Sequence, residues 1–290
     1  MINNKRLSIL TVILAATLWG STGTVQAVIP EHKEPLVIGA VRLYLAAIYL
    51  FLISVLFDKN LLSTIFKSPV LTAFSGLFMM LYNMTFFAAI LISGVGVGTA
   101  ITIGSAPIWA LLFEFIILKS KHGLNKLIGA TLAVAGISIL MLFGDNTDWS
   151  NLGAFLALLS GLSYALYSLF TSRVVNKNSH HNTAAWTFLI AAFLSTPVFI
   201  FFPSSWVFSN EAIYYLIFLG TFATGVAYSF FTFGLKYLSS STAVTLSIVE
   251  PITALILAII ILGESFSIIQ ILAIIVIILG LFFTSKSEAV

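Results

Sequence analysis

The feature that most limits this chain is a succession of apolar segments, each long enough to cross a bilayer. A spanning helix takes about 20 mostly apolar residues. Between its charges and its Pro, Asn and Ser clusters the sequence offers ten such segments: 7–28, 35–57, 69–92, 96–118, 124–143, 151–172, 183–202, 212–235, 241–262 and 266–284. Short connections leave no room for a soluble domain. Charged residues make up 8% of the 290 positions, against about 25% in a soluble domain. So few charges cannot clothe a water-soluble fold, which excludes a cytosolic enzyme, a disulfide-stapled secreted domain and a disordered tail. A scattered net charge of +3 is too small for nucleic acid, so no nucleic-acid partner is expected. With no cysteine there is no thiol chemistry and no cysteine-ligated metal. The segments lack the alternating pattern of barrel strands. The chain therefore reads as an all-α membrane protein of ten transmembrane helices, with the lipid bilayer as its constant partner. The first segment follows Lys5 and Arg6 as a signal peptide would, but it is too long and no polar domain follows, so it reads as a retained span.

Basic residues give the orientation. With the N-terminus inside and ten alternating spans, the inner loops and span edges hold Lys5, Arg6, Lys59, Lys67, Lys119, Lys121, Lys126, Arg173, Lys177, Lys236 and Lys286, eleven of the 13. Lys33 falls outside, and Arg42 lies within a span. Acids lean outward at Glu31, Glu34, Asp145, Asp148, Glu211 and Glu264. Both termini are thus expected in the cytoplasm. Trp149 and Trp206 fall at outer boundaries, as interfacial aromatics do.

The two halves of the chain align at an offset of 144 residues. Pro107-Ile108 matches Pro251-Ile252, Ala110-Leu111 matches Ala254-Leu255, and Gly136 matches Gly280. Gly76 matches Gly220, and Phe86-Phe87 matches Phe230-Phe231. Five spans per copy is an odd number, so the copies sit upside down to one another. The expected organisation is a 5+5 inverted-repeat bundle, residues 1–145 and 146–290. Such repeats are typical of secondary transporters with a substrate site near the midplane.

Ionisable groups inside a span are costly and are functional candidates. Glu250 lies near the middle of the ninth span, before Pro251. The proline lacks an N–H, leaves the Ser247 carbonyl without its helical partner and favours a kink. A carboxyl there can bind a proton or a substrate amine, or fix packing as a structural acid. Arg42, in the second span, can orient a carboxylate, snorkel to the interface or form a static ion pair. Glu114, near the inner end of the fourth span, is expected to snorkel towards Lys121. Uncharged candidates at similar depth are Trp19 and Ser21, within Trp19-Gly20-Ser21-Thr22-Gly23, Tyr82 and Asn83 in the third span, Tyr164, Tyr167 and Ser168 in the sixth, and Tyr228 in the eighth. The Gly-Ser stretch can loosen its helix or let another helix approach. Ala106 occupies the slot matching Glu250, so the cavity should be chemically lopsided. Gly94, Gly96 and Gly98 read as a short flexible hairpin, and His180 and His181 as part of a solvated loop. No P-loop is present, nor any Ser/His/Asp or metal-protease grouping within the membrane, which argues against an ATP-driven pump and an enzyme.

The pattern resembles the EamA-type ten-helix members of the drug/metabolite transporter superfamily. The likeness is carried by Leu18-Trp19-Gly20-Ser21-Thr22-Gly23, by Arg42, and by the run from Val249-Glu250-Pro251-Ile252-Thr253-Ala254 to Leu262-Gly263-Glu264, followed by Gln270 and Gly280. It covers essentially the whole chain. It implies a plasma-membrane bundle whose cavity is lined by spans 1–4 and 6–9, with spans 5 and 10 peripheral. It further implies transport, often export, of amino acids or related metabolites, without a cofactor. The family's Gly-Glu at the end of the fourth span is replaced by Lys119-Ser120. The residues expected to bind substrate are Trp19, Ser21, Arg42, Tyr82, Asn83, Tyr164, Tyr228 and Glu250, with Glu250 also the proton-coupling group. Lipophilic cations are the alternative cargo, and a passive facilitator the alternative mode.

Overall fold

Backbone amides in hydrocarbon find no water, so each segment must satisfy its own as a helix. The computed structural model describes residues 2–28, 34–58, 60–142, 150–262 and 267–289, and among these every regular element is helical. Glu31, Lys33, Lys59, Asp145, Asp148, Trp149, Gly263, Glu264 and Ser265 lie outside the described residues. Among the described residues nine helices are long and apolar enough to cross a membrane, and Leu124–Leu142, with 19 residues, supplies the shorter tenth. The ten apolar helices expected from the sequence are thus present.

Their boundaries differ from the expected ones where local chemistry intervenes. Pro69–Gly94 and Val97–Leu118 are joined through one non-helical residue, Gly94, at φ 76°. Only glycine adopts that conformation cheaply. The chain folds back there at once, and Gly98 comes to lie against the Ile90 amide, so no flexible hairpin is needed. The seventh span begins at His180, which puts His180 and His181 in its first turn instead of a loop. It breaks at Thr196-Pro197 before Val198–Phe201. A short helix, Leu61–Lys67, precedes the third span. It is tied down by the Trp186 indole N–H, which donates to the Leu61 carbonyl at 2.8 Å. Asn182 Nδ2 donates to Asp58 Oδ2 at 2.9 Å just before it. Trp206 sits in the short turn Ser205–Phe208 between the seventh and eighth spans.

The ninth span is broken, as Pro251 demands, into Ser240–Leu246 and Val249–Leu262. The Ser247 carbonyl is not orphaned, however. It accepts the Glu250 N–H at 3.0 Å in a tightened turn. Pro107, the matching proline, leaves its helix unbroken through Leu118.

The Gly-Ser stretch of the first span remains helical within Ile2–Val28, and its Gly20 serves packing. A Cβ on Gly20 would lie 2.6 Å from Thr253 Cβ and 2.7 Å from the Glu250 carbonyl oxygen. That contact holds the second piece of the ninth span against the first. Gly20→Ala should therefore cost about 1–3 kcal/mol through overpacking. The cost would be read as a lowered melting temperature of the solubilised protein. Gly123→Ala is the control, because a Cβ there meets nothing within 4 Å. Equal melting of the two variants would refute this account of the helix contact.

Candidate functional site

Polar side chains far from water must be paired with one another or face a cavity. Here they converge from the first, second, third, eighth and ninth spans on one small cavity. It is walled by Trp19, Thr22, Arg42, Tyr82, Asn83, Phe86, Phe87, Thr224, Tyr228 and Glu250. The space open to the centre of a water-sized sphere is about 20 Å³, room for about one molecule.

Arg42 does not snorkel; it is 6% exposed. Its Nε donates to Thr224 Oγ1 at 3.0 Å, and its guanidinium carbon sits 5.6 Å from the centre of the Phe87 ring. Thr224 is presented by a wide π-type turn, Thr221–Val226, and its hydroxyl donates to the Leu219 carbonyl, five residues back, at 2.7 Å. Glu250 faces the same cavity from the first turn of Val249–Leu262. The ion pairs within 4.0 Å among the described residues both involve Glu114, so Arg42 and Glu250 share the cavity without a direct salt bridge. Several polar atoms of the wall have no hydrogen-bond partner: Trp19 Nε1, Thr22 Oγ1 and Asn83 Oδ1.

Aromatic rings back the cavity. The Trp19 ring lies 4.7 Å from Tyr228 and 5.3 Å from Phe231, and Tyr228 meets Phe188 at 4.8 Å. Tyr164 stands just behind the wall, its ring 5.0 Å from Tyr82 and 6.2 Å from Trp19. Ser21 is not brought in. Its hydroxyl donates to the Leu18 carbonyl at 2.7 Å, and the neighbouring Thr22 takes the lining position. Trp19, Arg42, Tyr82, Asn83, Tyr228 and Glu250 are all at the cavity. From the sequence Thr22 is named only as part of the Gly-Ser stretch, and Phe86, Phe87 and Thr224 are not singled out as site candidates, yet each lies three or four residues from one of these on the same helical face.

No residue of the fourth span lines the cavity, and Ala106 is fully buried beside Pro107. The polar groups thus sit to one side. Glu114 corrects a second expectation: its partner is not Lys121. Its Oε2 takes the Lys126 ammonium at 3.1 Å and the Ser241 hydroxyl at 2.6 Å, while Oε1 accepts the Ser241 backbone N–H at 2.7 Å. With 3% exposure it is buried, not reaching for solvent. Lys126 prevails because it opens the following helix and lies directly over the carboxylate.

Comparison with known proteins bears on what such a cavity serves. The model of the EamA-like transporter family matches residues 6–142 and again 151–286. The chain belongs to the EamA-like transporter family. Among its relatives the uncharacterized transporter YwfM of Bacillus subtilis is 36% identical over 278 residues, covering 96% of this chain and 93% of that one. The uncharacterized inner membrane transporter YicL of Salmonella typhimurium is 22% identical, covering 91% and 90%. A crystal structure shares the fold at a TM-score of 0.80 and 18% identity, over 95% of each chain. This EamA-family member is accordingly a multi-pass membrane transporter.

Removing the group that holds Arg42 tests the geometry. Thr224→Val strips the acceptor from a buried guanidinium N–H and should cost about 1–3 kcal/mol, whereas Thr224→Ser should melt within 0.5 kcal/mol or so of the parent. If the valine variant proves as stable as the serine variant, the Arg42–Thr224 bond does not anchor the site.

Proposed function

We propose that this protein is a secondary transporter that exports amino acids or related small metabolites across the plasma membrane. It works by alternating access, with both termini in the cytoplasm. The observation that carries this reading is the pair of opposite charges, Arg42 and Glu250, on one enclosed cavity without a salt bridge between them. A zwitterion fits such a pair. The guanidinium forks onto a carboxylate, and the glutamate takes an ammonium, or a proton in its absence. Trp19 Nε1, Thr22 Oγ1 and Asn83 Oδ1 await polar partners. Buried groups left unsatisfied are expensive, so a polar ligand gains affinity by satisfying them.

The cavity is smaller than any amino acid, so loading requires the helices to part. A family match to each half of the chain and the sequence offset support a 5+5 organisation in which the halves rock around the cavity. The gathering of basic residues at one set of loops supports the assigned orientation.

One observation favours a second cargo. Five of the ten wall residues, Trp19, Tyr82, Phe86, Phe87 and Tyr228, are aromatic, and with Glu250 they suit a lipophilic cation. Arg42 separates the two. Transport measured in proteoliposomes should vanish in Glu250→Gln for either cargo. Arg42→Gln should abolish amino-acid transport and leave, or improve, export of a cationic dye. An Arg42→Gln protein that still carries amino acids at the parental rate rules out the zwitterion reading. A Glu250→Gln protein with normal rate and pH dependence rules out the assigned role of the carboxylate. Accumulation of a neutral substrate driven by an imposed pH gradient separates coupled transport from a passive facilitator.

A further inference from the structure

A second cavity opens at the basic end of the bundle, where Lys119, Lys121 and Lys126 gather. On the same measure it holds about 520 Å³ against about 20 Å³ at the centre. Its floor is built from buried polar groups, Glu114, Lys126, Ser172 and Ser240. Beneath the floor the polar groups continue inward along one face of the sixth span. Ser172, Ser168 and Tyr164 follow at four-residue intervals, which stacks them on one side of a helix. Ser240 donates to Ser168 at 3.0 Å, and Tyr164 backs the central cavity, its ring 6.2 Å from Trp19. A line of hydroxyls, Ser172, Ser168 and Tyr164, thus runs from the basic-end cavity towards the site, in a bundle whose lipid-facing surface is apolar.

Glu114 lines the same cavity as Ser172 and Ser240. Its carboxylate and its partner Lys126 belong to the N-terminal half of the chain. Both also bond to the C-terminal half: Glu114 to Ser241 N–H and Oγ, and Lys126 Nζ to Ser239 Oγ at 2.7 Å. His122 Nδ1 stands 3.8 Å from the same carboxylate. A buried ion pair contributes little net stability against an apolar pair of the same shape, so folding alone does not call for one here. It does give a junction that is either fully bonded or broken, which is what a two-state closure needs. Among the described residues the cluster has no counterpart at the other end of the bundle. At the repeat's offset Glu114, Lys126 and Ser241 correspond to Ala258, Gln270 and Val97.

We propose that the basic-end cavity is the cytoplasmic entrance of the transport path, and that Glu114 and Lys126, clasping Ser239 and Ser241, form its inner gate. The proposal rests on the transporter reading. It does not depend on the substrate, because its test needs none. The absence of cysteine allows a single thiol to be placed without other changes. Ser168→Cys puts one beneath the gate, and Ser120→Cys puts one in the wall above it. A membrane-impermeant maleimide is applied to the basic face of the full-length protein in sealed vesicles. The Ser120→Cys thiol should react readily in every background. The Ser168→Cys thiol should react slowly behind the intact gate, and about tenfold faster or more when Glu114→Gln is added, because breaking a buried pair moves a two-state balance at least that far. Should Glu114→Gln fail to fold, as judged by its melting, Ser239→Ala with Ser241→Ala removes the two clasping hydroxyls while leaving the ion pair. A smaller acceleration of about threefold is then expected, each neutral hydrogen bond contributing modestly. Labelling of Ser168→Cys that is fast behind the intact gate, or unchanged by both sets of substitutions, overturns the proposal. Amino-acid transport can fail independently of all these rates.

Discussion

Lipid removes the force that packs soluble proteins. Apolar side chains gain nothing by leaving hydrocarbon for one another, so helices in a bilayer must be held by close backbone approach and by polar contact. The bundle follows from that constraint. The fifth and tenth spans meet through glycines: a Cβ on Gly129 would lie 2.8 Å from the Gly280 carbonyl oxygen, and one on Gly280 would lie 2.6 Å from the Ala133 amide. The second and third meet where Gly39 gives way to Asn83 and Phe87, and the first and ninth where Gly20 faces Glu250. Several of these contacts lie beside the residues that wall the central cavity. The backbone approach that holds the helices also sets the positions of Asn83 and Glu250.

A large part of this was legible in the sequence because the signals are long or costly. An apolar run of 20 residues persists whatever its neighbours do, so ten helices could be counted without knowing one contact. Charges within spans are rare enough to stand out singly, and Arg42 and Glu250 do meet at one cavity. What stayed hidden depends on contacts between distant segments. That Glu114 chooses Lys126 over Lys121 is a matter of where the next helix begins, not of spacing along its own. Thr224 is one hydroxyl among many until a π-type turn aims it at Arg42. Ser21 and Thr22 are chemically interchangeable on paper, and only the rotation of the first helix decides which faces inward.

Proline shows the same division. Pro107 and Pro251 occupy matching places, yet the fourth span runs through its proline while the ninth breaks ahead of its own. The break at Ser247-Ile248 lets Glu250 enter at the start of a new helix, where the positive end of the backbone dipole favours a carboxylate.

That interruption also makes the ninth span a jointed lever. Its shorter arm, Ser240–Leu246, carries the serine that clasps Glu114; its longer arm, Val249–Leu262, carries the carboxylate that faces Arg42. Two residues, Ser247 and Ile248, separate the arms. Free-energy linkage runs both ways, so a molecule that pulls on Glu250 alters how firmly Ser241 is held, and loosening Ser241 alters the grip on that molecule by the same factor. On the proposed reading, occupancy at the centre and closure at the gate become two readings of one hinge angle.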